Sequence, residues 1–237
     1  MNNLAIIPAR GGSKRLPRKN ILPFAGKPMM IWTAEAARES QQFSRIIIST
    51  EDDEIASIAE QFGFEVSLRP PHLATDLATC VDVCTDILTR FEQENSTFDT
   101  LCCLYATAPL RTADDIVATL ALLGDEQTNL ADFSMAVTNY RFPPYQALMK
   151  DKGGNFAAIF PLLQPQKSQH LPMPYIDNGS TYAVRVPAFL QYRSFLGPRT
   201  VGHLMPFLRS IDIDTQEDYE LASFAAELHR GKSVCQK

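Results

Sequence analysis

The stretch LAIIPARGGSKRLPRKN, residues 4–20, joins an apolar run that suits a buried strand to a loop with two glycines, Pro17 and five cations. Gly11 and Gly12 let the backbone approach a ligand closely, while Arg10, Lys14 and Lys19 bring charge to it. Pro17 disfavours helical backbone at Leu16, so the chain runs on as a loop. An anion bound here is therefore held by loop amides, including that of Ser13, and by side chains, not by a helix N-terminus. The spacing matches neither GxxxxGK[ST] nor GxGxxG, the two common phosphate loops that feed their amides into a helix.

The charge distribution supports a compact anionic ligand. Residues 1–34 carry Arg10, Lys14, Arg15, Arg18, Lys19 and Lys27 with no acid, a local charge of +6 in a chain whose net charge is -5, which leaves -11 on the remainder. Extended nucleic acid needs a broad positive face that an acidic body would repel, whereas a nucleotide triphosphate needs only a local pocket. At 237 residues and 45% hydrophobic content the chain suits one α/β domain with an ample core. Its apolar runs are far too short for a membrane span, and the N-terminus lacks the pattern of a signal peptide, which implies a soluble cytoplasmic protein. Cys80, Cys84, Cys102, Cys103 and Cys235 form no CxxC pair and read as reduced packing residues, with Cys102 and Cys103 facing opposite sides of one strand. The four histidines have no metal-ligand spacing and read as surface or packing residues.

The runs at 4–9, 45–50, 100–105 and 133–138 read as strands buried on both faces. Helices are expected over 28–42, 52–62, 79–94, 113–124 and 216–230, with Asp52, Thr79 and Thr112 or Asp114 as caps. Alternating strands and helices imply a mostly parallel sheet covered on both faces, with its ligand at the carboxyl ends of the strands. Between about 140 and 198 eight prolines break the pattern, helix is not expected, and hairpin-like pieces surround DKGGN and DNGSTYAV. This segment reads as an inserted arm that acts as a lid or an oligomer contact.

Residues 210–215, SIDIDT, read as a strand whose two-residue period puts Asp212 and Asp214 on one face and Ile211 and Ile213 in the core. Two such carboxylates suit Mg²⁺, which completes its octahedron with waters and phosphate oxygens. Asp214 and Thr215 equally suit the start of the last helix, with Thr215 and Asp218 as a capping box, but that leaves Asp212 without a role. LRPPHLATD, residues 68–76, offers Arg69 and Asp76 around rigid prolines, suited to framing a base or ribose or to a plain connection. YATAPLR, residues 105–111, ends a strand with small residues and then Arg111.

In this order the motifs IIPARGGSKRLPRKN, IISTEDDEIA, LRPPHLATD, YATAPLR, DNGSTY and IDIDTQEDYELA run nearly end to end along the chain. Together they resemble the acylneuraminate cytidylyltransferases, which activate nine-carbon sugar acids as CMP-sugars. The resemblance implies a Rossmann-like nucleotidyltransferase domain whose arm crosses a homodimer and closes over the partner's sugar site. It implies that Arg10, Gly11, Gly12, Ser13, Lys14 and Lys19 hold the triphosphate of CTP, and that Asn20, Arg69, Ala78 and Thr79 hold the cytidine. It further implies that Asp212 and Asp214 hold Mg²⁺, and that Tyr105, Thr107, Gln146, Asn178 and Gly179 face the sugar. The reaction implied is attack of the anomeric hydroxyl on the α-phosphorus with loss of pyrophosphate. Arg10, Lys19 and Asp212 are its catalytic candidates, Asp212 as metal ligand or as base.

The departures bear on the sugar. Tyr105 stands where sialic acid enzymes usually carry glutamine, and Gln146 and Ile176 stand where they carry basic residues, a pattern closer to the pseudaminic acid branch. The sugar carboxylate then needs another cation, from Arg141, Arg185 or the partner subunit. NGSTYAV instead resembles the sialic or legionaminic type. A nicotinamide-dependent oxidoreductase would need the missing GxGxxG, a non-catalytic nucleotide-binding module would have no use for Asp212, and a cytidylyltransferase for the eight-carbon acid Kdo is the nearest alternative.

Overall fold

Leu4, Ala5, Ile6 and Ile7 are fully buried, because the first strand packs one core cluster with Leu4 and Ile6 and another with Ala5 and Ile7. In the computed structural model, which describes residues 2–124 and 131–234, this strand lies near the middle of a seven-stranded sheet. Cys235 and the side chain of His229 lie outside the described residues. The strands are β1 Asn3–Pro8, β2 Pro23–Phe24, β3 Lys27–Pro28, β4 Arg45–Thr50, β5 Glu65–Leu68, β6 Thr100–Leu104, β7 Phe133–Asn139, β8 Leu148–Lys150, β9 Phe156–Ala158, β10 Tyr175–Arg185 and β11 Thr200–Leu204. The helices are α1 Met29–Glu39, α2 Asp53–Gln61, α3 Cys80–Gln93, α4 Ala113–Ala121, α5 Val186–Tyr192 and α6 Gln216–Val234.

The sheet order is β11-β7-β10-β6-β1-β4-β5, parallel except for β10, with separate small hairpins β2-β3 and β8-β9. From β1 the chain moves outward through β4 and β5, and α3 then returns it to β6 on the other side of β1. Strand order therefore reverses between β1 and β6, and the loops leaving their carboxyl ends part to open a crevice. The loop of residues 9–20 and the turn of residues 105–112 are the two walls.

Local chemistry fixes the helices. Asp52 accepts from the backbones of Glu54 and Ile55 at the start of α2, and Thr79 with Asp82 and Thr112 with Asp115 form complete capping boxes on α3 and α4. Cys103 packs in one core cluster and Cys102 in the other, as expected for neighbours on a strand, and the four described cysteines are free thiols. No described helix is long and apolar enough to cross a membrane.

Three expectations need correction. DNGSTYAV is no hairpin: it lies within β10, an eleven-residue strand inserted between β6 and β7, with a register break between Asp177 and Tyr182. Helix does occur in the proline-rich segment, since Pro187 sits in the first turn of α5, where a missing N–H costs nothing. SIDIDT is not a strand. Its burial alternates as expected, but among the described residues its one backbone hydrogen bond to the sheet edge is from Ile213 N to Thr107 O, at 2.8 Å.

Asp115 holds that edge in place. It is 1% exposed and accepts from Arg209 Nη2 at 2.8 Å and Arg209 Nε at 3.2 Å, while His203 Nε2 lies at 3.1 Å. Burial alone would raise its pKa, but Arg209, Thr112 and His203 overcome this and bring it to about 2. One buried carboxylate thus pins β11 and the turn before SIDIDT to α4. His203, expected as a packing or surface residue, is part of this link.

Candidate active site

At the crevice a cavity of about 410 Å³ is lined by Arg10, Lys19 and Asn20 from the first loop and by Arg69, Asp76, Ala78, Thr79 and Cys80 from the β5–α3 connection. Tyr105, Ala106 and Thr107 line it from the end of β6. Most of the sequence-derived nucleotide residues thus meet in one place. Gln146 lies on an exposed turn of the arm and lines none of this cavity. A second cavity of about 420 Å³, between α1 and α4 beside Trp32 and Glu35, contains none of the predicted site residues.

The first loop is shaped by its neighbours. Leu16 is buried in the cluster that holds Ile211 and Ile213, which anchors the loop's middle. Asn20 donates to Arg10 O at 2.8 Å, Gly11 N donates to Glu51 Oε1 at 2.8 Å, and Arg18 grips Asp52 with two donors at 2.5 and 3.0 Å. A side chain at Gly11 would overlap the Asp52 carboxylate, so glycine is required there by close approach. Gly12 faces open space, which leaves its backbone accessible.

The loop's cations meet two carboxylates. Asp76 takes Arg10 at 2.7 Å and Lys14 at 2.5 Å, and Asp214 takes Lys19 at 2.5 Å together with Arg15. Lys14 and Arg10 hold Asp76 below the ordinary carboxylate range. Burial would raise Asp214, yet Lys19 and Arg15 together bring it down. A triphosphate entering the loop would compete with Asp76 for its two cations, an exchange of one anion for another at an exposed pair worth little by itself.

Asp212 is held differently. Its Oδ1 accepts from the Thr107 hydroxyl, and Oδ2 lies beside Gly179, where an added Cβ would come within 3.0 Å. Gly179 also has φ +64°, so both space and backbone call for glycine. Burial, and after it the nearby Asp214, push the Asp212 carboxyl up, with Thr107 and Lys19 opposing. The residues fit a hard cation on these grounds: an added positive charge would relieve both the burial of Asp212 and its repulsion by Asp214. The capping box also exists, for Asp218 accepts from Thr215 N and Oγ1, so Asp214 and Thr215 start α6 while Asp212 is left to the site.

Asn178 is 6% exposed and spends its amide internally: Nδ2 donates to Ser210 Oγ at 3.1 Å, and Oδ1 accepts from Ser180 N and Oγ. It ties the β10 irregularity to SIDIDT. Tyr105 is half-buried, its ring 5.4 Å from that of Tyr182, whose hydroxyl donates to both oxygens of Asp177 at 2.8 Å. Burial pushes the Tyr105 phenol up, so it stays neutral. Arg111, 3% exposed, donates to Ser180 O, to Thr181 Oγ1 at 3.3 Å and to Tyr105 O at 3.3 Å, joining β6 to β10 beneath the site; burial lowers it to about 10. Arg185 pairs with Thr100 at the amino end of β6, the opposite edge of the sheet, and is removed as a partner for a sugar carboxylate. Glu51 and Asp177 were missed by sequence reasoning, and Asp52 was read as a helix cap but not as the partner of Arg18. The acids of STEDDE, directly after a strand beside a basic loop, were the available signal.

The comparisons with known proteins meet this geometry. The family model for cytidylyltransferases matches residues 4–150. This chain belongs to the cytidylyltransferase family. It is 33% identical to the pseudaminic acid cytidylyltransferase of Campylobacter jejuni over 94% of this chain and 95% of that one. It is also 33% identical to the CMP-N,N'-diacetyllegionaminic acid synthase of Legionella pneumophila, over 97% and 98% of the two chains. The N-acylneuraminate cytidylyltransferase of Escherichia coli is 29% identical over 92% of this chain and 51% of that protein. Among solved structures, CMP:2-keto-3-deoxy-manno-octonic acid synthetase complexed with CTP superposes with a TM-score of 0.69 at 17% identity, covering 98% of this chain and 100% of that one. That similarity establishes the fold, a mostly parallel α/β sheet of the nucleotidyltransferase kind.

Proposed function

We propose that this cytidylyltransferase transfers CMP from CTP to the anomeric hydroxyl of a nine-carbon, sialic-acid-like sugar acid, with pseudaminic acid preferred, and releases pyrophosphate. The observation that carries the reading is the meeting of the glycine and cation loop with Asp212 and Tyr105 at the point where strand order reverses. Arg10, Lys14 and Lys19 draw the triphosphate into the loop, and Arg69 with the Ala78–Thr79 turn receives the cytidine. The sugar oxygen attacks the α-phosphorus, the bond from that phosphorus to the bridging oxygen breaks, and the pyrophosphate carries away the charge that Arg10 and Lys19 neutralise. Asp212, ionised, accepts or orients the hydroxyl proton, and Thr107 holds the carboxylate for that task. Asp212 and Asp214 would hold Mg²⁺, which supplies further neutralisation of the phosphate charge.

Tyr105 supports the sugar preference. Its ring replaces the paired donor and acceptor of a glutamine amide with bulk and one hydroxyl, at a position fixed by Tyr182. Polar groups of a wrong sugar left unpaired cost about two or more orders of magnitude in kcat/KM. For the sugar carboxylate the remaining candidates are Arg141, beyond the end of β7, and a cation of the partner subunit. Legionaminic acid is the second reading, favoured by NGSTYAV in β10. Pyrophosphate release measured with CTP against pseudaminic, legionaminic, N-acetylneuraminic and Kdo acids is expected to rank pseudaminic acid first. Equal or better turnover of N-acetylneuraminic acid would overturn the inference from Tyr105, Gln146 and Ile176.

The arm supports a homodimer. Phe142, Phe156 and Leu162 are 81%, 66% and 83% exposed. Apolar side chains this open are a liability on a lone subunit and suit burial against a second copy. CTP as substrate and the free described thiols fit a cytoplasmic enzyme. Sedimentation is expected to give a dimer for the natural chain and a monomer for Phe156→Asp with Leu162→Asp. A natural chain that sediments as a monomer at micromolar concentration would contradict the dimer.

A further inference from the structure

Glu51 follows directly on β4 and stands between the two halves of the nucleotide site. Its Oε1 accepts from Gly11 N at 2.8 Å, which fixes the path of the phosphate loop. Its Oε2 is buried without a hydrogen-bond partner and lies 3.7 Å from Arg69 Nη1. Arg69 has spent its other edge, with Nε on Ser49 Oγ at 3.1 Å and Nη2 on Ser49 O at 3.0 Å. The remaining nitrogen therefore lies toward Glu51 in a side chain that lines the cavity.

A buried carboxylate oxygen without a partner costs stability, and such groups in folded proteins call for an explanation. Arg69 supplies one. Its side chain is 7% exposed, and Glu51 is its one carboxylate neighbour within 4.0 Å among the described residues. Burial lowers the Arg69 pKa and Glu51 opposes it, so the carboxylate offsets part of the cost of burying this cation. The contact is too long for a hydrogen bond, so Glu51 restrains the guanidinium by charge without locking it.

We infer that Glu51 is a positioning residue that couples the triphosphate loop to the base-reading guanidinium of Arg69, so that the two ends of CTP are recognised as one unit. The inference rests on the reading above that the loop meets the triphosphate and Arg69 the cytidine. Glu51 is not a catalytic residue, because it lines no part of the cavity and acts through Gly11 and Arg69.

The two contacts separate by substitution. Glu51→Gln keeps an oxygen for Gly11 N–H and removes the charge beside Arg69, whereas Glu51→Ala removes both. Binding of CMP and of inorganic tripolyphosphate is measured by calorimetry for the natural enzyme, both variants, Arg69→Ala, and Arg69→Ala combined with Glu51→Gln. Glu51→Gln is expected to leave tripolyphosphate affinity within about twofold, to weaken CMP about tenfold, and to lower the CTP over UTP preference in kcat/KM by a similar factor. It adds no further loss of CMP affinity in the Arg69→Ala background. Glu51→Ala is expected to weaken both ligands, and the near-isosteric Gln variant, with an unchanged melting temperature, keeps the test valid if the Ala variant folds poorly. If Arg69→Ala weakens CMP but Glu51→Gln leaves CMP affinity and base preference unchanged, the inference about Glu51 is wrong and the site reading stands. If Arg69→Ala itself leaves CMP unchanged, the base-site reading fails and the inference with it.

Discussion

Asp212→Asn is expected to lower kcat by two orders of magnitude or more while leaving the fold intact. Asparagine keeps an oxygen for the Thr107 hydroxyl and the same volume beside Gly179, so only the charge is removed. Asp212 is an acid whose folded pKa is raised, first by burial. Its ionised form therefore costs stability, a cost that grows as pH rises from the ordinary aspartate range through the raised value and is fully present above it. Removing the charge at neutral pH should leave the melting temperature unchanged or slightly higher, which separates function from folding. Retention of more than about a tenth of natural kcat would cost only about 1.4 kcal/mol of barrier and would remove Asp212 from the chemistry. Chelation of divalent cations should stop turnover of the natural enzyme, and adding Mg²⁺ back should restore it.

Arg10→Ala is expected to lower kcat/KM for CTP by roughly two to four orders of magnitude, the cost of losing one donor aimed at developing phosphate charge. Arg10 lines the cavity and pairs with Asp76, a side chain 50% exposed against 45% for Arg10 itself. Such a pair contributes little to stability, so circular dichroism and melting should barely move. The loop keeps its shape through Leu16, Asn20, Arg18 and Gly11, none of which depends on the Arg10 side chain. A large fall in melting temperature with near-normal kinetics would make Arg10 structural.

The legible parts of this chain are those whose causes are local. β1, β4 and β6 could be read because strands covered on both faces are apolar throughout, and α2, α3 and α4 because Asp52, Thr79 and Thr112 cap them within three residues. β5 was not recognised, since EVSL is four residues long at the sheet edge with no fully buried side chain. β11 was missed for a similar reason: TVGHL carries a glycine and a histidine and has no buried residue. The prolines drew attention away from β10, whose buried half, STYAV, sits between two strands of the opposite direction. In the site, the cations and Asp212 were visible because their residue types are unusual in their setting. Glu51 was not, because its contacts join positions 40 and 18 residues away and no local pattern records them. Asn178 illustrates the converse: its motif was legible, but only the coordinates reveal that its amide is spent on Ser210 and Ser180.

The most direct test of the account uses CTP labelled on the α-phosphorus, incubated with the enzyme, Mg²⁺ and pseudaminic acid, with the products separated and the pyrophosphate counted. The account predicts that the label moves into a CMP-sugar with one pyrophosphate released for each, and that neither appears when the sugar acid is omitted. Label recovered only as free CMP or unreacted CTP, with every sugar acid of the panel, would contradict it.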